Sequence, residues 1–416
     1  MSTRRSYKTW ATRLTWVALV AVLLVGTGLA IYTSLVRWQG NRYDLYPRWV
    51  GAQAMFKEGL NPYSEEVALR SQIGIYGRPA RVEEGESQHH FLYPAFIAFT
   101  IPHLWLPFPV AITAWIVTEL IMLALIAIML ASCLKARLRP WAMALVALAL
   151  SVFRYNVLSL ALGQFTIYIL FFVVLTWWLW QRQYDFLAGL VMTQAIIKPQ
   201  LVFLIVPLWL GLALLRRRWR FLAGFGIGLA ILVLLPMPLI GNWLPDFLHP
   251  PSQYERAAGT FFLSAEMAQS LQVVLAVVGW PLAAWMWLRA SGLRIRRWEV
   301  KLDRPPTFPT LGYALALTVA IILVTTPRIR GYDLTMATLP LGYLILVQFQ
   351  PGWAATTIRG MSWIMLLAVP WVLSSLMTLE ELEAVERLVI GLACLLLVAA
   401  SAAVHRRSTR IAVQSS

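Results

Sequence analysis

Asp44 is the first acidic residue of the chain. It stands in the stretch NRYDLYPRW, between Arg42 and Arg48, just after a long apolar run. A carboxylate in that place can serve as a general base, if the proton it removes comes within hydrogen-bond reach. It can equally be a helix-start residue, since Asp suits the positive end of a helix. Other polar groups interrupt apolar surroundings further along: Tyr93 in FLYPAF, Gln164 after Gly163, and Lys198 before Pro199. A later stretch, TPRIRGYD at 326–333, carries Arg328, Arg330, Tyr332 and Asp333. Ionisable groups at membrane depth are costly to keep and are functional candidates for that reason. No acidic cluster has metal-ligand spacing, so metal-independent chemistry is expected. The two cysteines, Cys133 and Cys394, lie within or at the ends of apolar runs, and neither a zinc site nor a disulfide framework is implied.

The elements that must position these residues are apolar. Of 416 residues, 59% are hydrophobic and 13% charged, too little polar surface for a soluble chain of this size. Apolar runs of about 20 residues, the length that spans a bilayer, recur from end to end. The expected fold class is all-α, a polytopic membrane protein forming one domain over 1–416. Short alternating segments of the kind a β-barrel needs are missing. The net charge of +16 is not a nucleic-acid signature. It collects in short clusters between apolar runs, KARLR, RRRWR, RIRRWEVK and HRRSTR, as in cytoplasmic loops.

Placing those clusters inside gives a consistent topology. Span one covers about 14–36, a retained first helix longer than a signal-peptide core. Residues 37–92 form the first extracytoplasmic loop. A proline-bounded stretch at 93–107 is too short to span comfortably and is expected to be re-entrant or to lie on the surface. Further spans fall near 109–134 and 141–161, a fourth ends at Gln181-Arg182, and an apolar run broken at Lys198-Pro199 follows. Spans near 221–242, 267–290, 309–326, 334–349, 360–377 and 386–404 complete about twelve. The 405–416 tail is cytoplasmic, and nearly every unusual polar residue collects on the outer side. Within the first loop, Pro47 fits a first helical turn, Gly59 and Asn61-Pro62 stop that helix, and Ser64 starts a second. Both are expected as amphipathic helices on the outer membrane surface.

The stretch DLYPRWVGAQAMFKEGLNPY resembles the first-loop signature of glycosyltransferase family 87. FLYPAF at 91–96, LALGQFTIYIL at 160–170, LAGLVMTQAIIKPQLVFLI at 187–205 and TTPRIRGYDLTMATLPL at 325–341 resemble its later elements, in order. Ala95 replaces a second proline, and Tyr332 stands where many relatives carry His before the Asp. The resemblance implies a GT-C-like membrane enzyme that moves a hexose, typically mannose, from a polyprenyl-phosphate donor to a glycan or glycolipid acceptor. It implies Asp44 as the base, and Lys198, Arg328 and Arg330 as binders of the donor phosphate. Gln164, Tyr93, Tyr332, Asp333 and Arg48 would contact sugar or acceptor. No cofactor is expected beyond the donor substrate, and no nucleic acid. The implied setting is the plasma membrane, with both termini cytoplasmic and the site extracytoplasmic. A secondary transporter or a lipid-linked sugar flippase is the alternative. A transporter of this size predicts two similar halves and ionisable residues at the bilayer midplane, and the chain shows no such repeat.

Overall fold

A computed structural model describes residues 44–414, apart from 85, 250–264, 291–292, 297–298, 303–307, 327–328, 348–351 and 377–378. The expected first span, Arg42 and Arg328 therefore lie outside the described residues. The described chain is helical, apart from a hairpin of Leu293–Arg296 and Glu299–Leu302 in the RIRRWEVK loop.

Helix α1 (Leu45–Glu58) and helix α2 (Glu65–Tyr76) come first. Pro47 sits in the first turn of α1, and Gly59 ends the helix in the left-handed conformation, φ 66°. Its N–H returns to the carbonyls of Ala54 and Met55, the usual way a glycine closes a helix. Ser64 caps α2, its hydroxyl accepting from the Val67 N–H. Eight α1 residues are buried, including Arg48. Trp49 and Gln53 donate from α1 to the carbonyls of Leu106 and Leu104. The helix is thereby fastened to the proline-bounded stretch, which folds as two single turns, Ile97–Thr100 and Pro102–Trp105.

Helix α3 (Phe108–Cys133) is long and apolar enough to cross a membrane. Helices α4 (Pro140–Val152) and α5 (Arg154–Leu162) form a pair bent by 59°, followed by α6 (Thr166–Gln181). The apolar run after α6 breaks at Lys198-Pro199 as its sequence suggests. Helix α7 (Asp185–Met192) passes through the 3-10 turns Thr193–Ile197 and Pro199–Leu201 into α8 (Ile205–Leu215). Proline cannot donate into the preceding helix and disfavours helical backbone in the residue before it, and Lys198 has φ −130°. Then come α9 (Trp219–Leu234), α10 (Ala265–Ala290) and α11 (Phe308–Thr325). A 3-10 helix, Gly331–Ala337, leads into α12 (Thr338–Leu346). Helices α13 (Trp353–Leu367), α14 (Val369–Leu376) and α15 (Leu379–Gln414) close the chain.

Among the described residues, four helical stretches are long and apolar enough to span a bilayer, or five counting the bent pair as one span. Shorter apolar helices cover Thr166–Gln181, Asp185–Ile197, Ile205–Leu215 and Leu311–Thr325. The chain has the build of a helical membrane protein. Both cysteines are buried free thiols.

Candidate active site

Five chain segments converge on one region, a polar cleft with a buried ion pair behind its wall. Asp44 and Arg48 enter from the start of α1, and Tyr93 from the extended stretch before Ile97. Gln164 comes from the turn between α5 and α6. Lys198 comes from the α7–α8 break, and Tyr332 with Asp333 from the Gly331–Ala337 turn.

The Asp44 side chain does not cap α1. Its Oδ2 instead accepts a hydrogen bond from Gln164 Nε2, and among the described residues Oδ1 takes none. The other end of the Gln164 amide, Oε1, accepts from Arg48 Nη2 at 3.0 Å. One carboxamide thus lies between a carboxylate and a guanidinium, and its orientation is fixed by their opposite demands for donor and acceptor. Arg48 also donates to the Gly163 carbonyl and to the Tyr93 hydroxyl. Its guanidinium carbon lies 4.2 Å from the Tyr93 ring centroid and 4.4 Å from that of Phe165. At 3% exposure such a cation needs this enclosure, and desolvated cation–π contacts contribute about 2 kcal/mol. Tyr93 is held in turn, since its carbonyl accepts from the Tyr63 hydroxyl at 2.6 Å.

Gly163 makes the turn possible. Its φ is 65°, and a β-carbon there would come within 2.8 Å of Leu45 Cβ. Only glycine accepts both the left-handed backbone and the close approach of α1.

The cleft holds about 460 Å³ of empty space. Its wall includes Asp44, Arg48, Tyr93, Gln164 and Tyr332, all singled out from sequence, together with Ser87, His89 and His90. The 87–90 stretch is tethered to α2. Gln72 donates to the Gln88 carbonyl, and the Tyr76 hydroxyl lies 2.8 Å from His89 Nε2. Burial pushes the His89 imidazole below its ordinary value, while the Asp44 and Glu86 carboxylates pull the other way.

Lys198 and Asp333 do not line this cleft. They form a buried ion pair, and Lys198 Nζ lies 4.6 Å from the centroid of the Tyr332 ring, so Tyr332 relates the pair to the cleft wall. Asp333 is fully satisfied. Oδ1 accepts from Thr166 at 3.1 Å as well as from Lys198, and Oδ2 accepts from the Arg330 backbone N–H at 3.1 Å.

Sequence reasoning missed Phe165 and Thr166, which neighbour the singled-out Gln164 and carry no signal of their own. It also missed Glu119 on α3, a buried carboxyl whose two oxygens have no hydrogen-bond partner among the described residues. Glu119 is the sole acidic residue within that apolar run, and that is a signal which could have found it. Among the described residues, no three His, Cys, Asp or Glu side chains converge as a metal site would require.

The arrangement offers a carboxylate on a polar cleft, a cation beside it, and a second buried cation behind one wall. Comparison with known proteins identifies the lineage that carries it. No curated protein and no solved structure matches the chain. The family model for glycosyltransferase family 87 matches residues 91–338. That stretch contains Tyr93, Gln164, Lys198, Arg330, Tyr332 and Asp333, while Asp44 and Arg48 precede it. With more than half of its length matched, this helical membrane protein belongs to glycosyltransferase family 87.

Proposed function

We propose that this membrane glycosyltransferase takes a hexose, mannose by the family's habit, from a polyprenyl-phosphate donor and passes it to a hydroxyl of a glycan or glycolipid acceptor. The observation that carries this reading is the Asp44 carboxylate, held at one oxygen by Gln164 on the wall of a polar cleft. As the base, Asp44 takes the proton of the acceptor hydroxyl. The hydroxyl oxygen attacks the anomeric carbon, and the bond from that carbon to the phosphate oxygen breaks with its electron pair going to the phosphate. The lipid phosphate is a competent leaving group once cations neutralise it. Lys198 and Arg330, with Arg328 two residues earlier, supply that charge. The donor's isoprenoid tail stays in the bilayer while the acceptor arrives from the extracytoplasmic side, which is why a carboxylate stands at the mouth of a membrane helix. The protein works in the plasma membrane, crossing it about twelve times with both termini cytoplasmic.

The test is transfer of radiolabelled sugar from polyprenyl-phosphate-mannose in membranes carrying wild type or Asp44→Asn, with chelator in a parallel tube. Wild type transfers with or without chelator, and Asp44→Asn is slower by about 10²–10⁴-fold, the usual contribution of a positioned base. Full activity in the variant would remove Asp44 from the chemistry.

A further inference from the structure

A second cavity lies away from the cleft and is lined by apolar side chains. It is a groove of about 1020 Å³ of empty space between α4, α12 and α13. Val146, Ala149 and Leu346 form its buried floor, while Leu145, Val152 and Leu367 stand as its edges, each about 40% exposed. It runs from Leu138, just before α4, to Val152 at the end of that helix. At 1.5 Å per helical residue that is about 20 Å, close to the depth of one leaflet's hydrocarbon, about 15 Å.

One end of the groove is flanked by charge. Leu138 and Trp141 line it there, and the flanking residues Arg137 and Arg139 are exposed cations. A concave apolar slot one leaflet deep, opening beside two guanidinium groups, is complementary to an amphiphile with a long chain and an anionic head. Arg suits the oxygens of a phosphate head through paired N–H donors, and basic pockets between membrane helices take such head groups. We infer that this groove binds a phospholipid with a net negative head group, drawn from the leaflet facing the Arg137–Arg139 loop. One chain fills the slot along α4, and the phosphate sits at the two arginines. The far end, at Val152, abuts the bend into α5, whose C-terminus delivers Gly163 and Gln164 to the cleft. The bound chain therefore props the outer half of a bent helix pair that positions the site. Its binding does not depend on the transferase reading.

Native mass spectrometry of the full-length protein in nonionic detergent tests this, with dioleoyl phosphatidylglycerol and dioleoyl phosphatidylcholine as probes. Wild type should retain one phosphatidylglycerol about tenfold or more over phosphatidylcholine, since each surface arginine contributes measurably to an anionic lipid's binding. The double variant Arg137→Gln/Arg139→Gln should lose that preference. Removing two exposed arginines elsewhere, Arg217 before α9 and Arg220 in its first turn, as Arg217→Gln/Arg220→Gln, should keep it. Ala142→Trp, which fills the slot from its edge, should lower retention of both lipids while leaving the thermal midpoint in place. Equal retention of the two lipids by wild type would overturn the inference, as would a preference untouched by the Arg137/Arg139 double variant. Farnesyl phosphate outcompeting phosphatidylglycerol would overturn it too, and would reassign the slot to an isoprenoid tail.

Discussion

Gln164 has the most to say about how single side chains are used. Its amide joins Asp44 to Arg48, so it controls both the direction of the carboxylate and the seat of the guanidinium. Replacing it with Leu strips a donor from Asp44 and an acceptor from Arg48 at once. Hydrogen bonds to charged groups contribute about 1.5–3 kcal/mol, so Gln164→Leu should lower kcat by about 10- to 100-fold. Steady-state transfer kinetics check this, and an unchanged kcat would mean that Asp44 is oriented by something else. His89 adds a pH effect at the same wall. Its imidazole sits below its ordinary value of 6.5 because burial disfavours the charged form. The unfolded chain therefore takes the proton first as pH falls, and stability present above about 6.5 is lost below it. The thermal midpoint should drop between about pH 7 and about pH 5, and His89→Gln should remove part of that drop. An identical pH slope in the variant would show that His89 does not contribute.

At the scale of elements, much of the construction was legible because it rests on local chemistry. Gly59 had to stop α1 and Ser64 had to start α2, since a left-handed cap and a hydroxyl cap each need only a few neighbouring residues. Proline after Lys198 had to interrupt the helix. The bend between α4 and α5 was not legible: 141–161 reads as one apolar span, and no proline or glycine marks Phe153. Nor did the sequence reveal that α1 would bury most of its first turns beneath the 93–107 stretch, because Trp49 and Gln53 find their partners some fifty residues away. The turn at Gly163 ties these elements together. Gly163→Ala would force a β-carbon against Leu45 in a backbone conformation that disfavours it. The expected cost is about 1–3 kcal/mol, read as a lower thermal midpoint in detergent. Transfer should fall with it, since Arg48 loses the carbonyl it binds. A variant as stable and active as wild type would mean that α1 can shift away without cost.

Across the whole molecule, distant parts of the chain are joined by ion pairs. Arg154 at the start of α5 bonds Glu386 of α15 at 2.6 Å, 232 residues away, and Lys198 meets Asp333 across 135 residues. No sequence pattern encodes such partners. Lys198 and Asp333 each stood out as polar groups in apolar runs, yet their pairing depends on how the broken helix and the late loop pack around Thr166. That pairing also bears on what Lys198 is for. A buried ion pair costs much desolvation and gives little net stability, but removing one partner leaves a buried charge that costs about 3–5 kcal/mol. Lys198→Met and Asp333→Asn should therefore each destabilise strongly. The double variant should recover most of the loss, because Asn can turn its oxygen to the Arg330 N–H and donate its amide N–H to the Thr166 hydroxyl, which can also accept. Thermal unfolding of the four proteins in detergent gives the coupling directly. If Lys198 serves only the fold, the double variant should recover transfer along with stability. If it also meets the donor phosphate, stability should return while the KM for the polyprenyl-phosphate sugar stays raised. The second outcome is the one expected from a lysine set 4.6 Å from the aromatic ring on the cleft wall.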